Sequence, residues 1–299
     1  MRDRQSRCPV CEGDGLAPYL DLGVRRLVRC RSCGMVVMDP QPEEEVRFFY
    51  DRFYEGEGAR VRVAGHRMGL YEHLLDLMGP EKGRRLLDVG CGTGEFLHLA
   101  SERGWWAYGI DPVLGAVEHI KDGPRVRAYL GALSTTGVTD MSFPSNFFDL
   151  VTFWNVLDYI AKPLDTLRGV RRTIKPDGFL FVRVPNFRFH LTAYFMGRAV
   201  GWVPGFRAFA AGSYTFHPLV FAPRTLRELL SRAGYDRVIL WPSPLSRGDP
   251  YGVLPRGGEW VARGVKGVVS GAVELVYRFS GRRLIVGPSI AALARHPGS

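Results

Sequence analysis

Residues 86–97 place an acidic side chain and three alternating glycines directly after a short apolar run. They read Leu-Leu-Asp-Val-Gly-Cys-Gly-Thr-Gly-Glu-Phe-Leu. Gly90, Gly92 and Gly94 suit a tight turn, because glycine adopts positive φ and permits close backbone approach. Apolar residues continue after the turn at helical spacing, and the amides at the start of a helix point toward whatever binds there. The stretch therefore predicts a ligand-binding turn between a buried strand and a helix, with the carboxylate of Asp88 projecting into it.

A second acidic residue, Asp111, ends the next strand-like run at residues 106–110. A carboxylate at the tip of the second strand is well placed to accept hydrogen bonds from both ribose hydroxyls of a nucleoside. The dinucleotide fingerprint G-x-G-x-x-G is not met, because Glu95 stands where its third glycine would be. A nucleoside ligand other than a dinucleotide is therefore predicted, with a generic dinucleotide-type turn as the alternative.

Asp88 followed by glycines at intervals of two resembles motif I of the class I S-adenosylmethionine-dependent methyltransferases. The resemblance implies that the three glycines line the methionine and ribose of the cofactor. It also implies that Asp88 anchors the amino group indirectly and that Asp111 holds the ribose, and a carboxylate pair suits a cationic sulfonium. The further cofactor contacts expected at the strand ends are Cys91, Pro112, Ala132, Leu133, Trp154 and Asn155. Relatives often carry an acid near residues 131–133, which are Gly-Ala-Leu here, so backbone and apolar walls would hold the adenine.

Two Cys-x-x-Cys pairs lie near the start of the chain: Cys8 with Cys11, and Cys30 with Cys33. This spacing suits a tetrahedral four-thiolate zinc site, in which each pair offers two sulfurs from a tight turn. Disulfides are disfavoured in a reducing cytosol, and a redox dithiol needs one pair rather than two. A closed shell of four sulfurs leaves no open position for catalysis, so we expect a structural zinc ion.

The order of features along the chain sharpens the resemblance. A cysteine quartet, a Pro-x-Pro turn at residues 40–42, an aromatic helix at residues 43–54 and motif I together look like the zinc-ribbon class I methyltransferases of bacteria, which include sugar C-methyltransferases. We therefore expect a zinc ribbon at residues 1–38 and a linker with a helical segment at residues 39–79. The methyltransferase domain would occupy residues 80–299, with cap insertions at residues 186–216 and 243–283.

Strand and helix patterns alternate after the glycine turn, as a doubly wound α/β fold requires. Runs of strand composition occur at residues 86–89, 106–110, 126–130, 147–153, 179–184, 238–241 and 284–294. Seven is the number of strands in the methyltransferase sheet. The predicted fold class is thus α/β, a doubly wound, seven-stranded Rossmann-like sheet with a small N-terminal zinc ribbon.

Candidate catalytic residues follow from the needs of methyl transfer, which rests mainly on aligning the acceptor with the methyl group. A general base is needed only for an acceptor that loses a proton. His217 is the first candidate, since relatives often carry a histidine facing the cleft there; a structural role is the alternative. His190 ranks below it. Tyr159 stands where relatives often carry a histidine after strand four, so it donates or accepts a hydrogen bond or is structural.

The net charge and the two predicted insertions indicate which binding partners are possible. The chain carries a net charge of +10 with only five lysines among its 40 basic residues, and its arginines are scattered rather than grouped. Aromatic residues and arginines in the first insertion suit an acceptor with apolar and anionic parts, or form the cap's own core. The second insertion, at residues 259–279, is predicted to lie on a membrane surface, to dimerise or to pack on the sheet. Its glycines weaken a free helix and favour packing.

The hypothesis is a methyltransferase acting on a small-molecule, sugar-linked or lipid-linked acceptor, as a monomer or a homodimer. No apolar leader opens the chain and no run is long enough to span a membrane, so we expect a cytoplasmic protein, with peripheral membrane contact left open. One alternative is an RNA or protein methyltransferase that docks through the ribbon and the arginines. The other is a catalytically silent cofactor-binding module.

Overall fold

The computed structural model describes residues 7–23, 25–40, 58–79, 82–120, 123–131, 133–134, 137–138, 143–200, 216–244 and 258–298. The predicted aromatic helix at residues 43–54 and residues 201–215 of the first insertion lie outside these ranges. So does Ala132. The strands are β1 (Leu16–Asp21), β2 (Arg26–Cys30), β3 (Val36–Asp39), β4 (Arg85–Val89), β5 (Trp106–Asp111), β6 (Val126–Leu130), β7 (Leu133–Ser134), β8 (Gly137–Val138), β9 (Phe148–Trp154), β10 (Ile174–Pro185), β11 (Leu219–Val220), β12 (Asp236–Ser243) and β13 (Ser289–Arg295).

Helices cover both faces of the large sheet and connect its strands. They are α1 (Gly58–Met78), α2 (Glu95–Glu102), α3 (Leu114–Val117), α4 (Pro163–Arg171), α5 (Phe187–Val200), α6 (Pro223–Arg232) and α7 (Gly258–Phe279). A short 3-10 helix, Leu157–Tyr159, follows β9. No helix in the described ranges combines the length and the apolar composition needed to cross a membrane.

The seven-stranded sheet has the order β12-β13-β10-β9-β4-β5-β6. The pairs β10–β9, β9–β4, β4–β5 and β5–β6 are parallel, whereas β13 runs antiparallel to both β10 and β12. The predicted α/β class and strand number are confirmed. The last strand starts later than expected, because residues 284–288 form an irregular segment before β13.

Alternation along the strands divides the core into two layers. On β4, Leu86 points into a cluster with α1 and α2, whereas Leu87 and Val89 point into the cluster on the other face. On β9, Leu150 and Trp154 share the face of Leu86, and Val151 joins the opposite cluster. Side chains at alternate positions of a strand point to opposite faces. The same alternation places Asp88 and Thr152 on the α1 side of the sheet.

The N-terminal residues form a second sheet whose last strand comes from far along the chain. Its order is β1-β2-β3-β11, with all pairs antiparallel. Val37 of β3 pairs with Leu219 of β11, and Val36 pairs with Val220. Cys8, Val10, Val28, Cys30, Cys33, Met35 and Val37 belong to the same buried cluster as residues of the large sheet and α6. The N-terminal sheet therefore packs directly on the α/β core.

Candidate functional site

The glycine turn joins β4 to α2 through three residues in the left-handed region. Gly90, Gly92 and Gly94 have φ of 71°, 54° and 81°. The amides of Gly90 and Cys91 donate hydrogen bonds to the carbonyl of Ile110 at 2.8 and 3.2 Å. A Cβ placed on Gly90 would lie 2.3 Å from a methyl carbon of Val156. Glycine is thus required at position 90 for conformation and for space.

Asp111 ends β5 beside this turn and is nearly buried. One carboxylate oxygen accepts a hydrogen bond from the amide of Gly92 at 2.9 Å, and the other accepts one from the amide of Val113 at 3.0 Å. Burial raises the pKa of this carboxyl group, and the two amides oppose the shift. A carboxylate accepts about four hydrogen bonds in all, so each oxygen of Asp111 retains capacity for a ligand hydroxyl.

Asp88 lies on β4 and is only 2% exposed. Thr152, its partner in the β4–β9 register, donates a hydrogen bond from its hydroxyl to Asp88 Oδ1 at 2.7 Å. Burial raises the pKa of Asp88 to about 8, helped by the negative charges of Asp111 and Glu95, whereas the Thr152 bond and the positive charge of Arg67 lower it. A cation bound here would stabilise the ionised form of Asp88.

Helix α1 covers this side of the turn through an aromatic cluster. Tyr71 lies against Phe96 and Trp154, with ring centroids 5.1 and 4.8 Å apart. Trp154 also contacts Phe181, at 4.4 Å between centroids. The indole of Trp154 is buried, and its Nε1 has no hydrogen-bond partner among the described residues. Trp154 therefore supports the turn from the core, and its predicted contact with a cofactor stays a prediction.

The other predicted cofactor residues differ in what they present at the turn. Cys91 is buried, and its sulfur lies 2.7 Å from where a Cβ on Gly109 would be, so its side chain packs on β5. Pro112 is exposed directly after Asp111. Asn155 follows β9 with φ of 59°, and its side-chain oxygen accepts a hydrogen bond from Arg183. Leu133 begins β7, and its side chain lies outside the description, as does all of Ala132.

His217 is paired with Asp158 across 59 residues of sequence. Its Nδ1 forms a short hydrogen bond with Oδ2 of Asp158, whose side chain is fully buried. The ring of Tyr159 lies 4.6 Å from that of His217 between centroids, tilted by 33°. The Nδ1 bond leaves Nε2 as the ring nitrogen available for proton exchange, an arrangement in which a carboxylate orients an imidazole base.

His190 lies on α5 and is nearly buried. Its Nε2 lies 3.0 Å from the carbonyl of Pro288, and because a carbonyl only accepts, Nε2 carries the hydrogen. Burial, together with the charge of His217, lowers the pKa of His190 to about 4. The structure thus brings the three candidates His217, Tyr159 and His190 together. Among them, His217 forms its hydrogen bond with a carboxylate, that of Asp158.

Val156 connects the glycine turn to His217, Asp158 and Tyr159, which are called the His217 group below. Its side chain contacts the position above Gly90, and the 3-10 helix with Asp158 and Tyr159 begins at the next residue. The segment after β9 therefore contacts the glycine turn at one end and holds His217 at the other. Both groups lie at the carboxyl ends of parallel strands, where open α/β sheets bind ligands.

The four cysteines of the N-terminal sheet form a cluster. The sulfurs of Cys8, Cys11, Cys30 and Cys33 all lie within 4.8 Å of one another, and none of the chain's five cysteines forms a disulfide. The Cys8–Cys33 and Cys11–Cys30 sulfur distances are both 3.5 Å. Tetrahedral zinc with bonds of about 2.3 Å requires sulfurs roughly 3.8 Å apart, so this donor set fits the ion.

The cysteine cluster is linked to His217 through the small sheet. His217 and Pro218 directly precede β11, and the carbonyl of Pro218 accepts a hydrogen bond from the amide of Met38 on β3, at 2.9 Å. The segment that carries His217 is thus held by the sheet that carries the cysteines.

Several contacts at the site involve residues that the sequence analysis did not single out as site residues. Thr152 bonds Asp88, Asp158 bonds His217, and Arg183 bonds Asn155 while donating to Ser243 and to the carbonyl of Pro244. Thr152 could have been found from the parallel register of β4 and β9. No short-range pattern pairs Asp158 with His217.

Residues 63–239 match the protein family described as a methyltransferase domain. The chain is 28% identical to the ubiquinone biosynthesis O-methyltransferase of Haemophilus ducreyi over 35% of its length and 46% of the relative. It is 29% identical to the tRNA U34 carboxymethyltransferase of Hydrogenovibrio crunogenus over 42% of its length and 40% of the relative. The chain thus spans less than half the length of these curated relatives.

A solved structure with a similar fold comes from a complex between the Haloferax volcanii Trm112 methyltransferase activator and a methyltransferase. Its TM-score is 0.53 at 18% identity, and the match covers 86% of this chain and 98% of the other. At this identity the similarity is one of fold.

Proposed function

Because this chain belongs to the methyltransferase-domain family, we propose that it binds S-adenosylmethionine at the glycine turn and transfers the methyl group to a small-molecule, sugar-linked or lipid-linked acceptor. The observation that carries the proposal is the pair of buried carboxylates, Asp88 and Asp111, on either side of three positive-φ glycines. Two acids in one small site repel an anionic pyrophosphate. They favour a ligand that bears an ammonium and a sulfonium group.

Each residue of the turn has a distinct part in holding this cofactor. Asp111 accepts hydrogen bonds from the ribose hydroxyls, since the Gly92 and Val113 amides fix its orientation. Asp88 contributes negative charge near the methionine amino group, and Thr152 orients the carboxylate. Gly90 and Gly92 let the backbone approach the ligand.

The cofactor supplies an electrophilic methyl group, and the chain's own residues prepare the acceptor. His217 would accept the proton of an acceptor hydroxyl at Nε2, which would free the oxygen to take up the methyl group. Asp158 fixes the orientation of the imidazole through Nδ1. The ring of Tyr159 packs beside His217 and limits its rotation. Buried His190 remains neutral at physiological pH and so adds no positive charge beside this base.

The cysteine cluster is proposed as a structural zinc site. The sulfur spacing fits a tetrahedral ion, and the buried cysteines join the core cluster that also contains Leu219 of β11. The ion would stabilise the small sheet and thereby the position of His217. It would take no part in the transfer, because four thiolates leave no open coordination position.

The first test measures the affinity of S-adenosylhomocysteine by isothermal titration calorimetry. We expect saturable binding and a loss of at least about tenfold in Asp111→Asn, since the amide cannot accept from both ribose hydroxyls as the carboxylate does. Asp76→Asn, at an exposed acid on α1, is the matched control and should bind normally. No saturable binding, or unchanged affinity in folded Asp111→Asn, would contradict the proposal.

The second test follows a radiolabelled methyl group from the cofactor into three separate pools: lipid extract, nucleotide sugars and total tRNA. Label in the lipid or sugar pool is expected. His217→Asn should reduce transfer about a hundredfold or more while leaving S-adenosylhomocysteine affinity unchanged, because His217 acts on the acceptor. Label in tRNA alone would favour the RNA methyltransferase alternative.

A further inference from the structure

Helix α7 leaves an apolar face uncovered. Val273 and Tyr277 mark its inner side: a methyl carbon of Val273 lies near Gly287, and the Tyr277 hydroxyl donates to the carbonyl of Leu240 at 3.3 Å. Apolar residues about 80 to 180° around the helix from these two are exposed instead. They are Val268, Ala272, Leu275, Val276 and Phe279.

The degree of exposure on this face is high for apolar side chains. Phe279 is 87% exposed and Val268 is 74% exposed. Beyond the end of α7 the chain continues with Leu284, which is 53% exposed, and with exposed Val286. Exposed apolar side chains thus lie both on the helix and in the segment that follows it before β13. Groups of exposed apolar side chains of this kind mark sites of protein or membrane interaction.

A cavity lined by arginines adjoins the same segment. It has a volume of about 400 Å³ and is formed by the start of α5, by α6 and by residues 283–286. Arg188, Arg224, Arg227 and Arg283 line it, and Leu284 and Val286 belong both to the cavity wall and to the apolar surface. The one acidic residue in its lining is Glu228. Glu228 accepts a hydrogen bond from Arg232, and the positive charge of Arg232 offsets its negative charge.

The charge around the cavity favours a phosphate group. Within the described ranges none of the four arginines forms an ion pair. Guanidinium groups match phosphate oxygens in geometry and charge. A partner that covers this surface must therefore present phosphate and hydrocarbon side by side, as a bilayer of anionic phospholipid does.

We propose that the exposed face of α7, residues 282–286 and the arginine cavity form a docking surface for an anionic phospholipid membrane. The apolar side chains enter the interface between headgroups and acyl chains, and the cavity seats a headgroup phosphate. Burial of exposed apolar area and attraction by basic residues both contribute to binding of this kind. The surface does not depend on methyl transfer, so a failure of this proposal would leave the proposed function standing.

The test is flotation of the full chain with vesicles of phosphatidylglycerol and phosphatidylcholine, compared with vesicles of phosphatidylcholine alone. We expect binding only to the anionic vesicles and a marked loss at high salt, because surface charges are screened. Two sets of variants separate the contributions. They are Leu275→Ser with Phe279→Ser for the apolar face, and Arg224→Gln, Arg227→Gln and Arg283→Gln for the cavity.

The apolar pair should weaken binding about tenfold, and the arginine triple about a hundredfold, at roughly 1 kcal/mol per basic residue near an anionic surface. The control triple removes equal charge elsewhere, at Arg103, Arg125 and Arg168, and should bind nearly as the wild type does. Sedimentation velocity and thermal unfolding accompany each variant to verify mass and fold. Equal binding by both triples would overturn the proposal. So would vesicle-independent dimers that the Leu275→Ser and Phe279→Ser pair dissociates, since the face would then belong to a second copy of the chain.

Discussion

The glycine turn and the His217 group lie at the same edge of the sheet but are built in opposite ways. The turn is made by residues 86–97, with Asp111 and Thr152 as neighbours on the adjacent strands. The His217 group joins residue 217 to the 3-10 helix after β9 and is held by β3 of the N-terminal sheet. One group is local in sequence, and the other depends on contacts between distant segments.

This difference predicts how each group responds to amino-acid substitutions. A change within the turn should affect cofactor binding directly. A change in the N-terminal sheet should reach His217 and leave the turn intact. In the part of the chain that the structure describes, the two groups meet at Val156, so their energetic coupling should be small in most variants.

The largest effect is expected from Gly90→Ala. The added methyl group would lie 2.3 Å from Val156, and the residue would be held at φ of 71°. Strain of about 1 kcal/mol from the left-handed backbone adds to about 1 to 3 kcal/mol from overpacking. We expect a clear fall in the free energy of unfolding and a loss of most cofactor affinity, measured by urea denaturation and by titration calorimetry.

Gly79→Ala is the matched control for this change. Gly79 has a similar φ of 79°, but nothing lies within 4 Å of the Cβ position. It should cost only about 1 kcal/mol and leave cofactor affinity unchanged. Equal losses in both variants would mean that conformation alone, and not the close approach of Val156, fixes glycine at position 90.

The second effect concerns the cysteine cluster. Cys30→Ser should abolish the binding of one zinc ion per chain, measured by elemental analysis. Without the ion, amide hydrogen exchange should accelerate at Met38 and at Leu219, because β3 loses its support. The affinity for S-adenosylhomocysteine should stay within about twofold, since no cysteine of the cluster belongs to the glycine turn.

Cys91→Ala serves as the reciprocal variant, because Cys91 is the fifth cysteine and lies in the turn. It should retain zinc and the protection of β3 while weakening cofactor binding severalfold, through lost packing on Gly109. If Cys30→Ser lost as much cofactor affinity as Cys91→Ala, the glycine turn would not be independent of the N-terminal sheet.

The smallest effect is a pH dependence centred on Asp88. Its pKa of about 8 lies above the ordinary value of 3.8, so the folded state holds this proton more tightly than the unfolded state does. The contribution of Asp88 to the free energy of unfolding therefore falls as pH rises from about 4 to about 8. Affinity for the cationic cofactor should change in the opposite direction, rising up to about tenfold per pH unit below 8, because the ionised form binds it.

Asp88→Asn should abolish both trends, which urea unfolding and calorimetry at a series of pH values would show. The difference between the two proteins isolates Asp88 from other titrating groups. A wild-type affinity that is flat across this pH range would mean that Asp88 does not face the charged part of the cofactor.

The sequence predicts those features whose physical cause is local. The glycine turn needs only the conformational freedom of glycine, and the strand pattern needs only alternation of apolar side chains, so the fold class and the turn follow from short windows. The cysteine spacing likewise predicts the cluster. By contrast, β11 has two residues and no pattern of its own, and Asp158 pairs with His217 only after the sheet has brought them together.

Helix α7 is a second feature that the sequence predicts only in part. Its apolar residues favoured packing on the sheet, because burial is the usual fate of such a face and its glycines weaken a free helix. The structure packs the helix through Val273 and Tyr277, and the broader face that carries Phe279 is exposed. Periodicity shows that a helix has an apolar face, but not which side of it the neighbouring strand will cover.

The pairing of β3 with β11 also imposes an order of assembly. A growing chain makes β3 early, but β11 appears only after five strands of the large sheet have been made. Until then β3 presents an unpaired edge, and such edges recruit other strands. Contacts between distant segments form late because closing a long loop is slow. The small sheet is therefore begun before the large sheet but completed late, and a metal ion bound early would keep β1 to β3 folded until β11 is made.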